Sequence, residues 1–340
     1  MEKQSSKAAI TINDIAAMAG VSKRTVSRVL NNSANVNRET REKILALFEQ
    51  YDYSPSKQAR GLASSRSYLI GLIYDEPNAV VIHEVQKGLI STLSPLGYEL
   101  VVHPMSYEAP MISEHVLKFV SRSNLDGLII MPPISMQDHL LQALEDKDVP
   151  FVCLAARSLN RHKNEVVSVD RQAMSQVADL FAAKGAKHVA VIKGAKNRLS
   201  TTERFEGFKS ALLERELELL PQHIAEGDYT YDSGIVAARS LLQRKPRPDA
   251  IFASNDQMAI ATIHVAQDLG IRVPNDLLVV GYDDEPMASR FKPSLTTLRR
   301  DDNAMAAAAA HKILALLNND RCVVDGGFMP RLVERDSTRR

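Results

Sequence analysis

Three cationic side chains lie close together near the start of the chain. In the segment VSKRTVSRVLNN, residues 21–32, Lys23, Arg24 and Arg28 are interleaved with valines at helical spacing. An arginine can donate two parallel hydrogen bonds to O6 and N7 of guanine, which gives about 1–3 kcal/mol of discrimination between bases. Short polar side chains near these cations are suited to phosphate oxygens, namely Thr11, Ser22, Thr25, Ser27, Asn31 and Asn37. These residue types predict contacts with the bases and the backbone of double-stranded DNA.

Short helices must position these side chains. Thr11, followed three residues later by Asp14, predicts a capped helix start, and Gly20 predicts the end of that helix. Ser22 begins a second helix, which carries the cations, and a third amphipathic helix follows Asn37. Two short helices joined by a tight turn are typical of the helix-turn-helix motif. The same pattern also fits a three-helix module that binds protein and exposes a solvated basic face.

The charge along the chain is unevenly distributed, although the net charge of the 340 residues is only +1. Residues 1–66 contain 11 Lys and Arg against 6 Asp and Glu, a net charge of +5. The remaining residues contain 31 basic and 35 acidic side chains, a net charge of −4. A basic first segment on a slightly acidic body predicts a small module that faces a polyanion.

A second basic stretch, YSPSKQARGLASSRS, follows the three predicted helices. Its Tyr-Ser-Pro start predicts a short helix that carries Lys57, Arg60 and an exposed Leu62. Leu62 could dock on its own domain, or it could be a wedge for the DNA minor groove, where leucine is one of the inserting side chains. The serines that follow are typical of a connector between domains.

From Tyr68 onward, apolar strands alternate with helical segments. Eight segments predict strands, namely YLIGLIY, YELVVHP, LDGLIIMP, PFVCLA, VVSVD, HVAVIKG, DAIFASND and LLVVGYDD. Strands that alternate with helices are typical of parallel sheets covered by helices. Eight strands favour two doubly wound halves over one very wide sheet.

Polar residues cluster where the predicted strands end, as at Tyr74, Asp75, Asp170, Asn255 and Asp283. In open α/β sheets, ligands bind beyond the carboxyl ends of the strands, and two halves that face each other would form a cleft. Each acid alone is more often a helix cap or a turn residue. The set as a whole, drawn from both halves, favours a ligand site.

The first 73 residues closely resemble the lactose-repressor (LacI/GalR) family of bacterial transcription factors through TINDIAAMAGVSKRTVSRVLNN, NRETREKI, YSPSKQARGLA and YLIGLI. The resemblance continues to about Thr338 through VSVDRQAM, RFEGFKSAL, RPDAIFASNDQMAIA, LGIRVPNDLLVVGYDD, FKPSLTTLRRD and PRLVERDST. It implies an α/β core of two doubly wound parallel-sheet subdomains, periplasmic-binding-protein-like type I, preceded by an all-α helix-turn-helix headpiece. The implied divisions are a DNA-binding domain at 1–56, a hinge helix and linker at 57–66, an N-subdomain at about 67–167 plus 301–327, and a C-subdomain at about 168–297 plus 328–340.

The resemblance also implies roles for individual residues. Lys23, Arg24 and Arg28 occupy base-reading positions, and Leu62 occupies the position of the hinge leucine that intercalates at the operator centre. In the family, the hinge helix folds only on DNA, in a dimer. The residues implied to bind an effector are Tyr74, Asp75, Pro77, Arg157, Asp170, Arg198, Ser200, Arg204, Asn255 and Asp283. From the residues alone, Arg204 could instead be part of an ion pair at a helix start.

Carboxylates, an amide and an arginine suit a polyhydroxylated effector, so a sugar or sugar phosphate is expected, with an amine-bearing purine as the alternative. The resemblance therefore implies a dimeric repressor of carbohydrate-utilisation genes that binds a pseudo-palindromic operator and is released by its effector. A corepressor-dependent regulator is the alternative. The chain shows no leucine-heptad tail, so a dimer is expected rather than a tetramer.

Two apolar features leave their interpretation open. Ile82, Val85, Leu89 and Leu93 form one apolar face, which could belong to a dimer interface or to the core. The run of alanines in DDNAMAAAAAHKILALLNND, residues 301–320, could permit close helix packing or reflect helix propensity alone.

Several function classes are excluded by what the sequence lacks. No phosphate-binding loop, dinucleotide-binding glycine motif or catalytic nucleophile motif is present, so the protein is not expected to be an enzyme. No Cys/His spacing typical of metal sites occurs, so no cofactor is expected, and Cys153 and Cys322 are interpreted as buried reduced thiols. No apolar run reaches the length of a signal peptide or a bilayer span. A cytoplasmic protein with no membrane partner is therefore expected, which argues against a secreted sugar-binding protein.

Overall fold

A computed structural model describes residues 10–30, 35–51, 66–76, 78–156, 164–320 and 327–339. The chain forms two compact units, one that ends at Tyr68 and one that begins at Leu69. Within the described residues, no helix is both long and apolar enough to cross a bilayer, and no group of three His, Cys, Asp or Glu side chains could hold a metal ion. Cys153 is a buried free thiol, and Cys322 lies outside the described residues.

The first unit contains helices α1 Ile12–Ala19, α2 Lys23–Leu30 and α3 Arg38–Gln50. The predicted caps are present. The Thr11 amide donates to Asp14 Oδ2 at 2.8 Å, and Gly20 ends α1 with a φ of 70°, a left-handed conformation that suits glycine. One small core closes the three helices and comprises Ile15, Ala16, Ala19, Val26, Val29 and Ile44.

The second unit alternates strands and helices, as predicted. Its strands are β1 Leu69–Tyr74, β2 Glu99–Pro104, β3 Gly127–Ile130, β4 Phe151–Ala155, β5 Glu165–Val167, β6 Val189–Lys193, β7 Ile224–Glu226, β8 Ala250–Ala253, β9 Leu278–Tyr282, β10 Thr296–Arg299 and β11 Arg331–Val333. Its helices are α4 Ala79–Leu93, α5 Ile112–Ser123, α6 Asp138–Glu145, α7 Asp170–Ala173, α8 Ser175–Ala183, α9 Leu199–Leu213, α10 Tyr231–Leu242, α11 Asp256–Asp268, α12 Pro286–Arg290 and α13 Asp302–Asn318.

These strands form two separate sheets, each the centre of one lobe. The first has the order β2-β1-β3-β4-β5 and is entirely parallel. The second has the order β11-β10-β9-β8-β6-β7 and is parallel except for β11. The central strands are buried on both faces, which is why they read as continuous apolar runs.

The chain passes between the lobes after β5, after β10, and again after α13, where Ser168 and Phe328 form an isolated parallel bridge. Helix α13 packs on the first lobe, against α4, β3, β4 and β5. The residue boundaries given above for the hinge and the two subdomains stay predictions.

Helices α4 and α13 approach each other closely at Gly88. A Cβ atom added there would lie 2.3 Å from the Asn303 carbonyl oxygen and 2.9 Å from the Ala306 Cβ atom. Ala306, Ala309 and Ala310 are fully buried, so the alanine run serves close packing. The apolar face of α4 is buried within the lobe as well, and it therefore belongs to the core.

Gly88→Ala is expected to lower the free energy of unfolding by about 1–3 kcal/mol, because the added methyl group overpacks a backbone contact. Alanine favours the helix over glycine by about 1 kcal/mol, so helix propensity alone would raise the free energy of unfolding. A decrease therefore indicates overpacking. Urea unfolding measures it, with the exposed Lys87→Ala on the same helix as the control. A Gly88→Ala protein as stable as the wild type would contradict the close packing of α4 and α13.

Candidate functional site

The exposed face of α2 carries the cations that the sequence singled out. Lys23, Arg24 and Arg28 are exposed, whereas Val26 and Val29, on the opposite face, are buried in the headpiece core. Within the part of the chain that the structure describes, none of the three cations forms an ion pair. Helix α2 therefore presents three uncompensated positive charges to solvent, an arrangement suited to DNA.

The predicted phosphate-contact residues are concentrated at helix starts. Thr11 and Asn37 cap α1 and α3, and Ser22 Oγ accepts a hydrogen bond from the Thr25 amide at 3.2 Å in the first turn of α2. Helix starts carry free N–H groups that favour anions. Ser27 is half-buried on α2. The remaining predicted DNA contacts lie outside the described residues, namely Asn31, Lys57, Arg60 and Leu62.

A cleft between the two lobes encloses about 850 Å³ of empty space, its open side included. A cleft that combines an apolar wall with a few convergent polar groups is typical of a small-molecule site. Five of the predicted effector residues line it, namely Arg198, Ser200, Arg204, Asn255 and Asp283. The apolar part of the wall comes mostly from the first lobe and from the start of α13, namely Val81, Met131, Pro132, Met136, Leu154, Ala155, Ala156 and Met305.

Other predicted effector residues lie elsewhere. Tyr74 is half-buried at the end of β1 and is not part of the cavity wall. Asp75 Oδ2 accepts a hydrogen bond from the Tyr107 amide at 2.8 Å, so it supports the loop after β2. Pro77 and Arg157 lie outside the described residues. Asp170 is fully buried behind Arg204 and does not face the cavity.

Arg204, on α9, is held from several directions. Its Nε donates to Asp170 Oδ2 at 2.9 Å, and its Nη1 donates to the Ser254 carbonyl at 2.6 Å. Its guanidinium carbon lies 3.4 Å from the centre of the Tyr282 ring, a cation–π contact. Burial raises the pKa of Asp170, but Arg204, Arg300 and a hydrogen bond from Ser168 more than offset this, so the net shift is downward. Arg204 is thus both an ion-pair partner and a fixed part of the cavity wall.

Asp283 follows β9 and faces Arg204, with Oδ1 3.8 Å from Nη2. Its φ of 106° lies in a region that L-residues rarely adopt, which indicates a backbone held by its surroundings. Burial raises the pKa of Asp283 to about 7, and the opposing effects of Arg204 and Arg300 do not cancel it. At neutral pH this carboxyl group can therefore either donate or accept a hydrogen bond.

Asp283→Asn is expected to flatten the dependence of stability on pH. The folded-state pKa is raised from 3.8 to about 7, so the native state binds more protons, and this stabilising effect is lost as pH rises from about 4 through about 7. Between pH 5 and 8 the wild type should lose about 2–3 kcal/mol more than the variant. Urea unfolding across this range measures the difference, with the exposed Asp232→Asn as control. Parallel curves for wild type and Asp283→Asn would contradict the raised pKa.

Several cavity residues were not predicted from the sequence. Arg300 and Asp302 enter the wall from the crossing between β10 and α13, and Arg300 Nε donates to Asp302 Oδ1 at 2.8 Å. Burial alone would lower the pKa of Arg300, but the nearby carboxylates raise it above its ordinary value. The paired arginines in TTLRR, within the segment FKPSLTTLRRD that carries the family resemblance, were the available signal.

Polar contacts join the lobes beside the cavity. Arg198 Nη1 lies 3.3 Å from Glu76 Oε2, and Asn78 Nδ2 donates to Glu285 Oε1 at 2.8 Å. Glu285 also accepts a hydrogen bond from Gln257 Nε2 at 2.7 Å, so this carboxylate bridges the two lobes. Changes in the separation of the lobes must therefore break or rearrange specific hydrogen bonds.

Comparison with known proteins agrees with this arrangement. Residues 11–56 match the family described as bacterial regulatory proteins, lacI family, and residues 178–338 match a periplasmic binding protein-like domain. Catabolite control protein A of Priestia megaterium is 32% identical over 97% of this chain and 99% of its own. The HTH-type transcriptional regulator CelR of Thermobifida fusca is 31% identical over 89% of this chain and 91% of its own.

Solved structures show the same architecture. The lac repressor dimer bound to operator and the anti-inducer ONPF has a TM-score of 0.79 at 26% identity, over 97% of this chain and 99% of that one. A complex of the transcriptional regulator CelR with cellobiose has a TM-score of 0.71 at 28% identity, over 96% and 99% of the two chains. The predicted fold class is therefore confirmed. The chain belongs to the lacI family of bacterial regulatory proteins and is a ligand-responsive, DNA-binding transcriptional repressor, not an enzyme.

Proposed function

We propose that this protein is a homodimeric repressor of carbohydrate-utilisation genes. It binds a pseudo-palindromic operator through α2 of each headpiece and leaves it when a sugar-like ligand occupies the cleft. The observation that carries the proposal is Arg204, a buried cation fixed at the wall of the cleft between the lobes, beside Asp283. Buried charged side chains with shifted pKa values that line a cleft are typical of ligand-binding sites, which supports this role.

The DNA half of the proposal assigns Lys23, Arg24 and Arg28 to base edges. The exposed position of these cations on α2 supports this assignment. Leu62 stays a proposed wedge at the operator centre, flanked by Lys57 and Arg60, on the strength of the sequence resemblance. A partner of this kind implies that the protein acts in the cytoplasm, where operator DNA is found.

The ligand half rests on the mixed character of the cavity wall. Fixed polar groups, such as Arg204, Asn255 and Ser200, can bond hydroxyl groups, and the methionine-rich side can cover the apolar face of a sugar ring. The relatives support this class, since the CelR structure contains cellobiose and the lac repressor structure contains ONPF.

Regulation requires that the ligand bind the DNA-bound and free forms with different affinities. The inter-lobe contacts of Arg198 with Glu76 and of Asn78 with Glu285 are the bonds that a ligand would reinforce or displace. By thermodynamic linkage, if the ligand changes the affinity for the operator by some factor, the operator changes the affinity for the ligand by the same factor.

The test measures operator affinity with and without ligand. DNA sites selected by the full-length protein are titrated by fluorescence anisotropy at several salt concentrations, alone and with a panel of sugars, sugar phosphates and nucleobases. The proposal predicts affinity that falls steeply with salt and a sugar-class compound that weakens binding. If a nucleobase strengthens operator binding, the protein is a corepressor-dependent regulator and is not released by its ligand. A protein without any preferred DNA site would refute the proposal.

A further inference from the structure

Most hydrogen-bond acceptors in the cavity wall are already occupied by the protein. Glu76 Oε1 accepts from the Asn78 amide at 3.0 Å, and Glu76 Oε2 faces Arg198 at 3.3 Å. The side-chain oxygens of Asn78 and Asn255 each accept a backbone N–H at 3.0 Å, as caps of α4 and α11. Among the wall carboxylates in the described residues, only Asp283 and Asp302 keep oxygens without a hydrogen-bond donor, so a ligand that mainly donates hydrogen bonds would depend on these two groups.

The donors, by contrast, are only partly used. Arg300 donates from Nε to Asp302, and its two terminal amino groups have no hydrogen-bond partner among the described residues. Its side chain is 17% exposed, and it lies in the cavity wall. Arg204 uses Nε and Nη1, whereas Nη2 is 3.8 Å from Asp283 Oδ1, beyond hydrogen-bond distance. The buried guanidinium group of Arg204 and the half-buried one of Arg300 therefore offer unused N–H groups to whatever occupies the cavity.

Guanidinium groups with free terminal N–H pairs are the side chains best suited to carboxylates and phosphates. They present parallel donors at the spacing of two oxyanion oxygens, and each bond is charge-assisted. Burial raises the pKa of Asp283 to about 7, so this carboxyl group can take up a proton at neutral pH and donate a hydrogen bond to an oxyanion. A neutral sugar would leave the terminal amino groups of Arg300 with weaker acceptors only.

We propose that Arg300 makes the cleft selective for a polyhydroxylated ligand that carries an anionic group, a carboxylate or a phosphate, over its neutral counterpart. The inference rests on the proposed function of the cleft and names the ligand class within it. Arg300 acts as a specificity-determining residue, since its free amino groups contact the oxyanion, while Arg204 and Asn255 contact hydroxyl groups in ligands of either kind.

The experiment uses full-length wild-type protein and three variants. Arg300→Gln keeps polar donors but removes the charge, and Arg300→Lys keeps the charge without the parallel donors. Arg299→Gln is the matched control, because Arg299 is the neighbouring arginine, is 58% exposed and pairs with Asp284 outside the cavity wall. Thermal unfolding and calorimetry at constant ionic strength compare D-glucose, D-gluconate, D-glucuronate, D-glucose 6-phosphate and inorganic phosphate.

At least one acidic probe should bind the wild type and the Arg299→Gln control with similar affinity. Arg300→Gln should bind it about 10- to 100-fold more weakly, as expected for loss of hydrogen bonds to a charged group, and Arg300→Lys should recover part of the loss. Comparison of the affinities for the carboxylate probes with those for the phosphate probes identifies which oxyanion is preferred.

Equal or better binding of glucose, unchanged binding by Arg300→Gln, or no response to any acidic probe would overturn the inference. Each of these outcomes leaves the proposed function standing as long as the same protein binds a preferred DNA site. Loss of the function itself would appear separately, as failure of the wild type to select any DNA sequence.

Discussion

Arg204→Met is expected to abolish the response to ligand and to lower the free energy of unfolding by about 3–5 kcal/mol. Arg204 is 3% exposed and Asp170 is 0% exposed, so the substitution leaves a buried carboxylate without its nearest cation. It also leaves the Ser254 carbonyl without its donor. Urea unfolding gives the loss of stability, and operator anisotropy with a bound ligand gives the loss of response.

A double substitution separates the two effects. Asp170→Asn combined with Arg204→Met removes both charges, so the pair should lose less stability than the sum of the single changes, while the ligand response stays absent. Arg215→Met, which breaks a surface pair with the 64%-exposed Asp179, serves as control and should cost less than about 1 kcal/mol. An Arg204→Met protein that is as stable and responsive as the wild type would contradict the role given to this residue.

Arg28→Ala is expected to cost about 1–3 kcal/mol of specific operator binding at each half-site and to relax preference at one base pair. The reason is the position of Arg28 on α2, exposed and directed away from the side on which Val26 and Val29 are buried. The measurement is anisotropy with the selected operator and with operators altered one base pair at a time.

Arg38→Ala is the matched control. Arg38 is 91% exposed at the start of α3 and forms an i,i+4 pair with Glu42, so its loss should change the affinity for all DNA sequences alike. If Arg28→Ala also weakens binding equally on every sequence, Arg28 is a phosphate contact and the base-reading assignment fails.

The headpiece could be predicted almost completely from the sequence, because local signals determine it. The Thr11 cap with Asp14, the stop at Gly20 and the cap at Asn37 each depend on residues within four positions. The eight predicted strands are likewise present, since buried parallel strands are continuous apolar runs. Strands β7, β10 and β11 were not predicted, because their sequences IAE, TTLR and RLV lie in no continuous apolar run and their pairing depends on distant segments.

The cavity was only partly predictable. The rule that ligands bind beyond strand ends indicated Asn255 and Asp283, but it cannot tell which side chains turn towards the cleft. Asp75, for example, follows a strand end, but its carboxylate accepts a hydrogen bond from the Tyr107 amide and does not line the cavity. Arg300 joins Arg204 only because the chain crosses between the lobes after β10, a contact that sequence spacing does not reveal.

The decisive measurement is the selection of binding sites from random double-stranded DNA by the full-length protein. We expect an enriched site with two-fold symmetry. When the selection is repeated with Arg28→Ala, each half-site should lose its preference at one base pair. An enriched site without symmetry would contradict the dimeric model of recognition. No enriched sequence at low salt would contradict the assignment of this chain as a DNA-binding repressor.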